Sequence, residues 1–288
     1  MRNALGASLV VFSVAATLPS PRVIAQQQAP NTQIGAPDGN AGRPSGPGRG
    51  RGRNAGPPRP APRNKDGRVL LAGATATDKG VWLPGPVIPD PLGPSKELPL
   101  QPWARALFAD RRTHQLEPHA RCKPSGVARV FLTPYGVEIT ELSDLQRVYI
   151  FDIGGPHTFR TIFLDGRGHP KNVPPTYYGH SIGWWEGDTL VIDTVGFNES
   201  FWLDRGGLPS TKQMRTVERL TRTSLTTLRY ELAVDDPGAY TQPWKGELNL
   251  SWEPNTELFE YVCQEQNYAH ELMVGQGTKV DRSSPIIP

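Results

Sequence analysis

His180-Ser181-Ile182-Gly183-Trp184-Trp185-Glu186-Gly187-Asp188-Thr189-Leu190-Val191-Ile192-Asp193-Thr194-Val195 is the stretch whose reading decides the fold. Gly187-Asp188 separates two runs of strand-like composition and suits a two-residue type II′ hairpin turn. That turn sets Glu186 opposite Thr189, Trp184 opposite Val191, Ile182 opposite Asp193 and His180 opposite Val195. One face then carries His180, Ile182, Trp184, Val191, Asp193 and Val195. His180 and Asp193 become diagonal neighbours, about 7–8 Å apart at the backbone. A three-residue turn would instead put them on opposite faces. A carboxylate between two valines and beside a Trp is an odd choice for a solvated surface, so this face is expected to be the interior, with His180 the partner of Asp193.

On either side of the hairpin the pattern stays at period two. Segments 127–133, 137–142, 147–153, 158–164, 216–222, 227–234, 245–252 and 258–264 read as further strands. They are separated by turn chemistry such as Pro134-Tyr135-Gly136, Gly154-Gly155-Pro156 and Asp235-Asp236-Pro237-Gly238. No long amphipathic helix lies between them, which argues against crossover units and a parallel sheet. The expected fold is all-β: an antiparallel β-barrel of about ten strands over residues 127–288, since closure removes exposed edges. Residues 69–126 hold nine prolines and read as an irregular arm. One short helix interrupts it, from Pro102 to about His114, with Trp103, Leu107 and Phe108 as the stripe that docks on the body.

The N-terminal quarter is a different material. Residues 1–25 read as a secretory signal peptide, with Arg2 ahead of an apolar run and small residues up to Ala25. No run is long enough for a polytopic membrane protein. Residues 26–68 contain nine Gly, eight Pro and eight basic residues against two acidic ones, a net charge of +6. With little apolar surface to bury, such a linker is expected to be disordered. The whole chain carries +3, so residues 69–288 are mildly acidic and present no nucleic-acid surface. Behind an export signal, the basic linker is expected to contact an anionic envelope electrostatically or to serve as an inert tether. Export also makes a Cys122–Cys263 disulfide plausible, tying the arm to the last strand; two free thiols are the alternative.

Candidate chemistry centres on the hairpin. His180 and Asp193 would act as an acid–base or ligand-orienting pair, or simply as a satisfied hydrogen bond. Asp152 and Glu218 share faces with apolar neighbours, and Glu218 alternates with Arg222, which suggests an internal ion pair. Gly179-His180-Ser181-Ile182-Gly183 matches the G-x-S-x-G elbow of esterases, which would make Ser181 a nucleophile. The elbow needs a helix directly after the serine, whereas a hairpin follows here. His114, Glu117 and His119 share a loop, and His157 and His169 flank a strand. None has metal-ligand spacing, so they read as exposed loop residues. No phosphate loop or dinucleotide fingerprint is present, and no cofactor is indicated.

Gly179-His180-Ser181-Ile182-Gly183, Trp185-Glu186-Gly187-Asp188-Thr189-Leu190-Val191, Asp235-Asp236-Pro237, Tyr240-Thr241 and Pro243-Trp244 together resemble a family of exported bacterial proteins. The resemblance covers roughly residues 98–267 and implies export and a shared domain, with no catalytic assignment. Gly183-Trp184-Trp185 also resembles the G-x-W element of lipocalins. In lipocalins that element opens the barrel, whereas here it follows several strands, so only a calycin-like architecture is implied.

The function expected from these readings is an exported barrel, periplasmic or extracellular, that binds a small apolar or aromatic molecule in its interior. Trp184, Trp185, Trp202 and Trp244 would wall the ligand and His180 and Asp193 would anchor it. A lyase, isomerase or hydrolase using the His/Asp pair, a Ser181 esterase and an envelope-associated interaction module are the alternatives. Oligomeric state is not legible.

Overall fold

The computed structural model describes residues 58–75, 77–86, 88–94, 97–152, 157–260 and 263. Nine strands follow one another around a closed barrel: β1 (Gly80–Pro84), β2 (Val137–Leu142), β3 (Arg147–Asp152), β4 (Thr158–Phe163), β5 (His180–Glu186), β6 (Thr189–Val195), β7 (Arg215–Ser224), β8 (Thr227–Asp235) and β9 (Trp244–Pro254), which returns to β1. Among the described residues one α-helix, α1 (Pro102–His114), precedes β2. Among the described residues no helix is long and apolar enough to cross a membrane.

The β5–β6 hairpin has the register that its turn dictates. His180 pairs Val195, Ile182 pairs Asp193, Trp184 pairs Val191 and Glu186 pairs Thr189. Gly187 takes a φ of +60° and Asp188 stays at negative φ, as a type II′ turn requires. Every neighbouring strand pair is antiparallel except β4–β5, which run parallel and share only two paired positions, Ile162 with Ser181 and Phe163 with Ile182. The barrel is therefore mixed. A parallel pair needs a long return connection, and residues 164–179 supply it.

Strand-by-strand alternation defines the inner wall. Val148, Ile150, Ile162, Leu190, Ile192, Leu220, Leu228, Tyr230 and Leu250 are all essentially inaccessible. The 127–133 segment, expected as a strand, instead forms a 3-10 turn, Arg129–Leu132, buried against the inner wall. Its apolar residues run consecutively rather than alternating, and Ala128 takes a positive φ, so the segment turns and buries several faces at once. Phe131 meets Tyr230 of β8 with ring centroids 4.5 Å apart. Residues 258–260, expected to begin a last strand, are not in one.

The arm contributes more than a helix. β1 lies within it and supplies the strand between β9 and β2. Trp82 of β1 donates from Nε1 to the Leu71 carbonyl at 2.8 Å. Arg222 of β7 donates to the carbonyls of Leu70, Ala72 and Leu225, and its guanidinium lies over the Trp82 and Trp252 rings. α1 has the expected bounds, and the expected stripe docks in part, with Leu107 half-buried. Ala104 and Arg111 are buried and Phe108 partly so, whereas Trp103 is 47% exposed and reaches back only to give its indole N–H to the Gly238 carbonyl.

The C-terminal end of the basic segment is ordered, contrary to expectation. Arg63 forks onto Asp188 at the hairpin turn at 2.8 and 2.6 Å, the Leu225 N–H donates to the Arg59 carbonyl, and Arg68 pairs with Glu141 at 2.7 Å. These carboxylates supply partners that composition alone does not reveal. Residues 1–57, including the expected signal peptide and most of the linker, lie outside the described residues.

Cys122 and Cys263 form a disulfide with Cα atoms 5.6 Å apart across a sequence separation of 141. Closing so long a loop restricts the unfolded chain by roughly 4–5 kcal/mol in the chain-entropy view, while native disulfides typically contribute about 2–5 kcal/mol. A Cys122→Ser, Cys263→Ser double variant should lose stability within that range, seen as a lower urea midpoint by circular dichroism. An unchanged midpoint would show that the crosslink is energetically idle.

Candidate functional site

Alternation along β4–β7 sends Arg160, Ser181, Thr194 and Glu218 to the inner wall. There Arg160, 2% exposed, is fully engaged. It donates from Nε to Ser181 Oγ at 3.0 Å, from Nη1 to Glu218 Oε1 at 3.0 Å and from Nη2 to Thr194 Oγ1 at 2.8 Å and to Glu218 Oε2. Tyr230 donates its hydroxyl to Glu218 at 2.9 Å. Burial works to lower the Arg160 pKa, but the facing Glu218 carboxylate more than offsets it and keeps the guanidinium charged. The internal ion pair expected for Glu218 therefore exists, but its partner is Arg160. Arg222 is occupied with arm carbonyls instead.

A second polar chain lies beside the first. Ser125 donates to Asp152 at 2.6 Å and contacts His119 Nδ1 at 2.9 Å, and the Tyr178 hydroxyl reaches Asp152 at 3.3 Å and Thr158 at 2.9 Å. Because Ser125 spends its one proton on Asp152, His119 must donate from Nδ1. Burial, with the Arg129 cation adding to it, lowers the His119 pKa to about 4, against the opposing pull of Glu117. Burial raises the Tyr178 phenol, and the Asp152 carboxylate adds to that.

The His180/Asp193 face is the outer wall, not the interior. The register holds, but Ser181, Gly183, Ile192 and Thr194 take the inside. Asp193 is nonetheless only 5% exposed, because Arg215 and the 164–179 connection cover it. Arg215 forks onto it at 2.8 and 2.6 Å, and His169 Nε2 lies 3.5 Å from Oδ2. Burial would raise the Asp193 pKa, yet the Arg215 hydrogen bonds and charge bring it below the ordinary value. His169 then meets His180, Nδ1 to Nδ1, at 2.8 Å. The expected pair is thus a chain of four, His180–His169–Asp193–Arg215. His169, read from sequence as an exposed loop residue, is its bridge.

Other sequence candidates separate. Ser181 is 1% exposed, hydrogen-bonded inside the barrel and on a strand that runs on to Glu186, so it has no nucleophile elbow. The glycines of that motif have packing roles. A Cβ on Gly179 (φ +63°) would meet the Val195 carbonyl at 2.6 Å, and one on Gly183 would meet Ile162 at 2.9 Å. Trp184 is 43% exposed on the outer wall, Trp185 is half-buried beneath Arg68, Trp202 is buried with Arg111 over its ring, and Trp244 is buried against Tyr240. None of the four lines a described cleft. Among the described residues no group of three or more His, Cys, Asp and Glu is arranged to hold a metal ion.

Where β4 and β5 share only their two paired positions the wall opens. A cleft of about 390 Å³ lies at this seam, walled by Phe159, Phe163, Tyr177 and Tyr178, with His180 on its lining and Arg160 in its depth. Phe159 is 56% exposed and continues outward to Phe151 and Tyr149 as an aromatic surface. Phe163 stacks on His180 with centroids 5.4 Å apart. A second cleft, of about 610 Å³, lies between Pro89–Pro94 and the β7–β9 wall, with Arg219, Glu231, Lys245 and Glu247 at its sides. It mixes both charges, and its Glu231 and Glu247 share Arg229 rather than a histidine.

No family model, curated protein or solved structure matches the chain.

Two outcomes follow from the buried groups. Arg160→Met leaves Glu218 uncompensated in the interior and should cost about 3–5 kcal/mol, measured by chemical denaturation. A loss below about 1 kcal/mol would mean that the pair does not hold the barrel. His119 has a folded pKa of about 4, below its unfolded value of 6.5. The unfolded state therefore binds the proton first, and the stability that this site contributes is lost as pH falls from about 6.5 toward 4. The linked loss is on the order of 2–3 kcal/mol. Comparing unfolding midpoints near pH 7 and pH 4.5, His119→Gln should show a smaller drop than the parent protein, and equal drops would contradict a neutral, half-buried imidazole.

Proposed function

We propose that this protein is an exported binding protein for a small apolar or aromatic molecule, held in the seam between β4 and β5 rather than in the barrel interior. The observation that carries the reading is the two-residue parallel pairing, which leaves a wall gap lined by four aromatic rings and two imidazoles, those of His157 and His180. Its volume falls in the range of small-molecule sites, and its lining sets aromatic rings beside hydroxyl, imidazole and guanidinium groups that could orient a ligand. Inside the barrel, the space a lipocalin-type ligand would need is taken up by Trp82, Phe131, Tyr230 and the Arg160 network. The Cys122–Cys263 disulfide supports an oxidising, periplasmic or extracellular location, and the basic 26–68 segment would contact an anionic envelope. A second reading, a lyase, isomerase or hydrolase, is favoured by one observation: the His180–His169–Asp193 chain ends at the cleft, where His180 could exchange a proton with a bound molecule.

The test is ligand-observed NMR with a panel of substituted benzenes and naphthalenes. At least one should bind saturably at one site with a Kd below about 1 mM. Phe159→Ala removes an exposed wall residue and should weaken that binding about fivefold or more, whereas Trp184→Ala, outside the cleft, should leave it unchanged. Lack of saturable binding by the whole panel, or binding indifferent to Phe159, would rule the seam out.

A further inference from the structure

The four-residue chain on the outer wall biases where its protons lie. Asp193 is held as a carboxylate by the Arg215 fork, so it presents only acceptor lone pairs. The ring nitrogen of His169 that faces it across 3.5 Å, Nε2, makes no hydrogen bond among the described residues. The carboxylate acts on it through charge, favouring a hydrogen there over a bare lone pair. A neutral His169 protonated on Nε2 has a bare Nδ1. That bare nitrogen lies 2.8 Å from His180 Nδ1, and two bare nitrogens cannot share such a distance, so His180 carries its hydrogen on Nδ1. The remaining nitrogen, His180 Nε2, is left with a lone pair. It makes no hydrogen bond among the described residues. Phe163 stacks on the ring and holds its plane, and His180 lines the seam cleft.

We propose that His180 is the specificity-determining residue of the seam site: its bare Nε2 selects aromatic ligands that carry a hydrogen-bond donor on the ring, such as a phenolic hydroxyl or an aryl N–H, over those that carry only acceptors. The inference rests on the seam as the binding site and adds the ligand class. Burial, with the Arg167 cation adding to it, lowers the His180 pKa, which keeps the imidazole neutral and the lone pair available at neutral pH. Asp193 and Arg215 do not touch the ligand. They act through His169 as positioning residues.

Two readouts test this on the full chain. The first is the tautomeric state from ¹⁵N chemical shifts at neutral pH. His180 should show a pyrrole-type Nδ1 and a pyridine-type Nε2, and His169 the reverse. The opposite pattern at His180 overturns the proposal whatever binds. The second is the affinity of 4-methylphenol against that of 4-methylanisole, which keeps the ring and the oxygen but has no donor. The phenol should bind about tenfold more tightly, the value of one hydrogen bond to a shielded acceptor. His180→Phe preserves the stack on Phe163 and should erase the preference. Asp193→Asn gives His169 Nε2 a side chain that can donate to it, releases the tautomer and should cut the preference to below about threefold with an unchanged circular dichroism spectrum. Equal binding of phenol and ether by the parent protein overturns the donor selectivity and leaves the seam site standing. Binding of neither probe removes the site itself.

Discussion

Arg160 and Glu218 place opposite charges inside a barrel, and neither can remain there without the other. Desolvating a lone guanidinium or carboxylate costs several kcal/mol, and the two meet directly with Tyr230, Thr194 and Ser181 satisfying what the pair leaves open. The consequence reaches well beyond the pair. It joins β4 to β7 across the interior, past the β5–β6 hairpin, and the hairpin turns Ser181 and Thr194 inward to meet it. Gly183, Leu190 and Ile192 share that inner wall, while Ile182, Trp184 and Val191 face out. It also anchors β4 where its pairing with β5 is shortest, and so it sits behind the seam cleft.

Much of this was legible from local pattern. The Gly187-Asp188 turn dictated the pairing of every residue in β5 and β6, and the Pro102 start set the helix bounds. The face of the hairpin was not legible, for a physical reason. Period-two alternation separates inside from outside only where one side is wetted. The outer side of β6 lies beneath the 164–179 connection and Arg215, so Val191 and Asp193 look as buried in sequence as Ile192 and Thr194. The same connection carries His169, whose importance arises only when a proline-rich loop folds back over a strand. Arg160 had a usable signal, since it alternates with Ile162 on a strand and Glu218 stands in the same position on another.

The 127–133 run shows the opposite failure. Its apolar residues follow one another without alternation, and such a run fits a buried turn as well as a buried strand. Only the positive φ values at Gly126 and Ala128 separate the two. Its placement changes the picture of the interior, which the protein fills with its own side chains. The family-level resemblance noted for the sequence carries no residue roles, so the seam stands on its geometry.

The clasp between Arg63 and Asp188, with Arg59 bonded to the loop between β7 and β8 just upstream, also gives the molecule a mechanical layout. Tension applied to the chain ahead of residue 58 enters the body through these two attachments. The second of them is the tip of the hairpin whose far end bears His180. Load arriving there would run along β5 to the β4–β5 seam, where His180 stands.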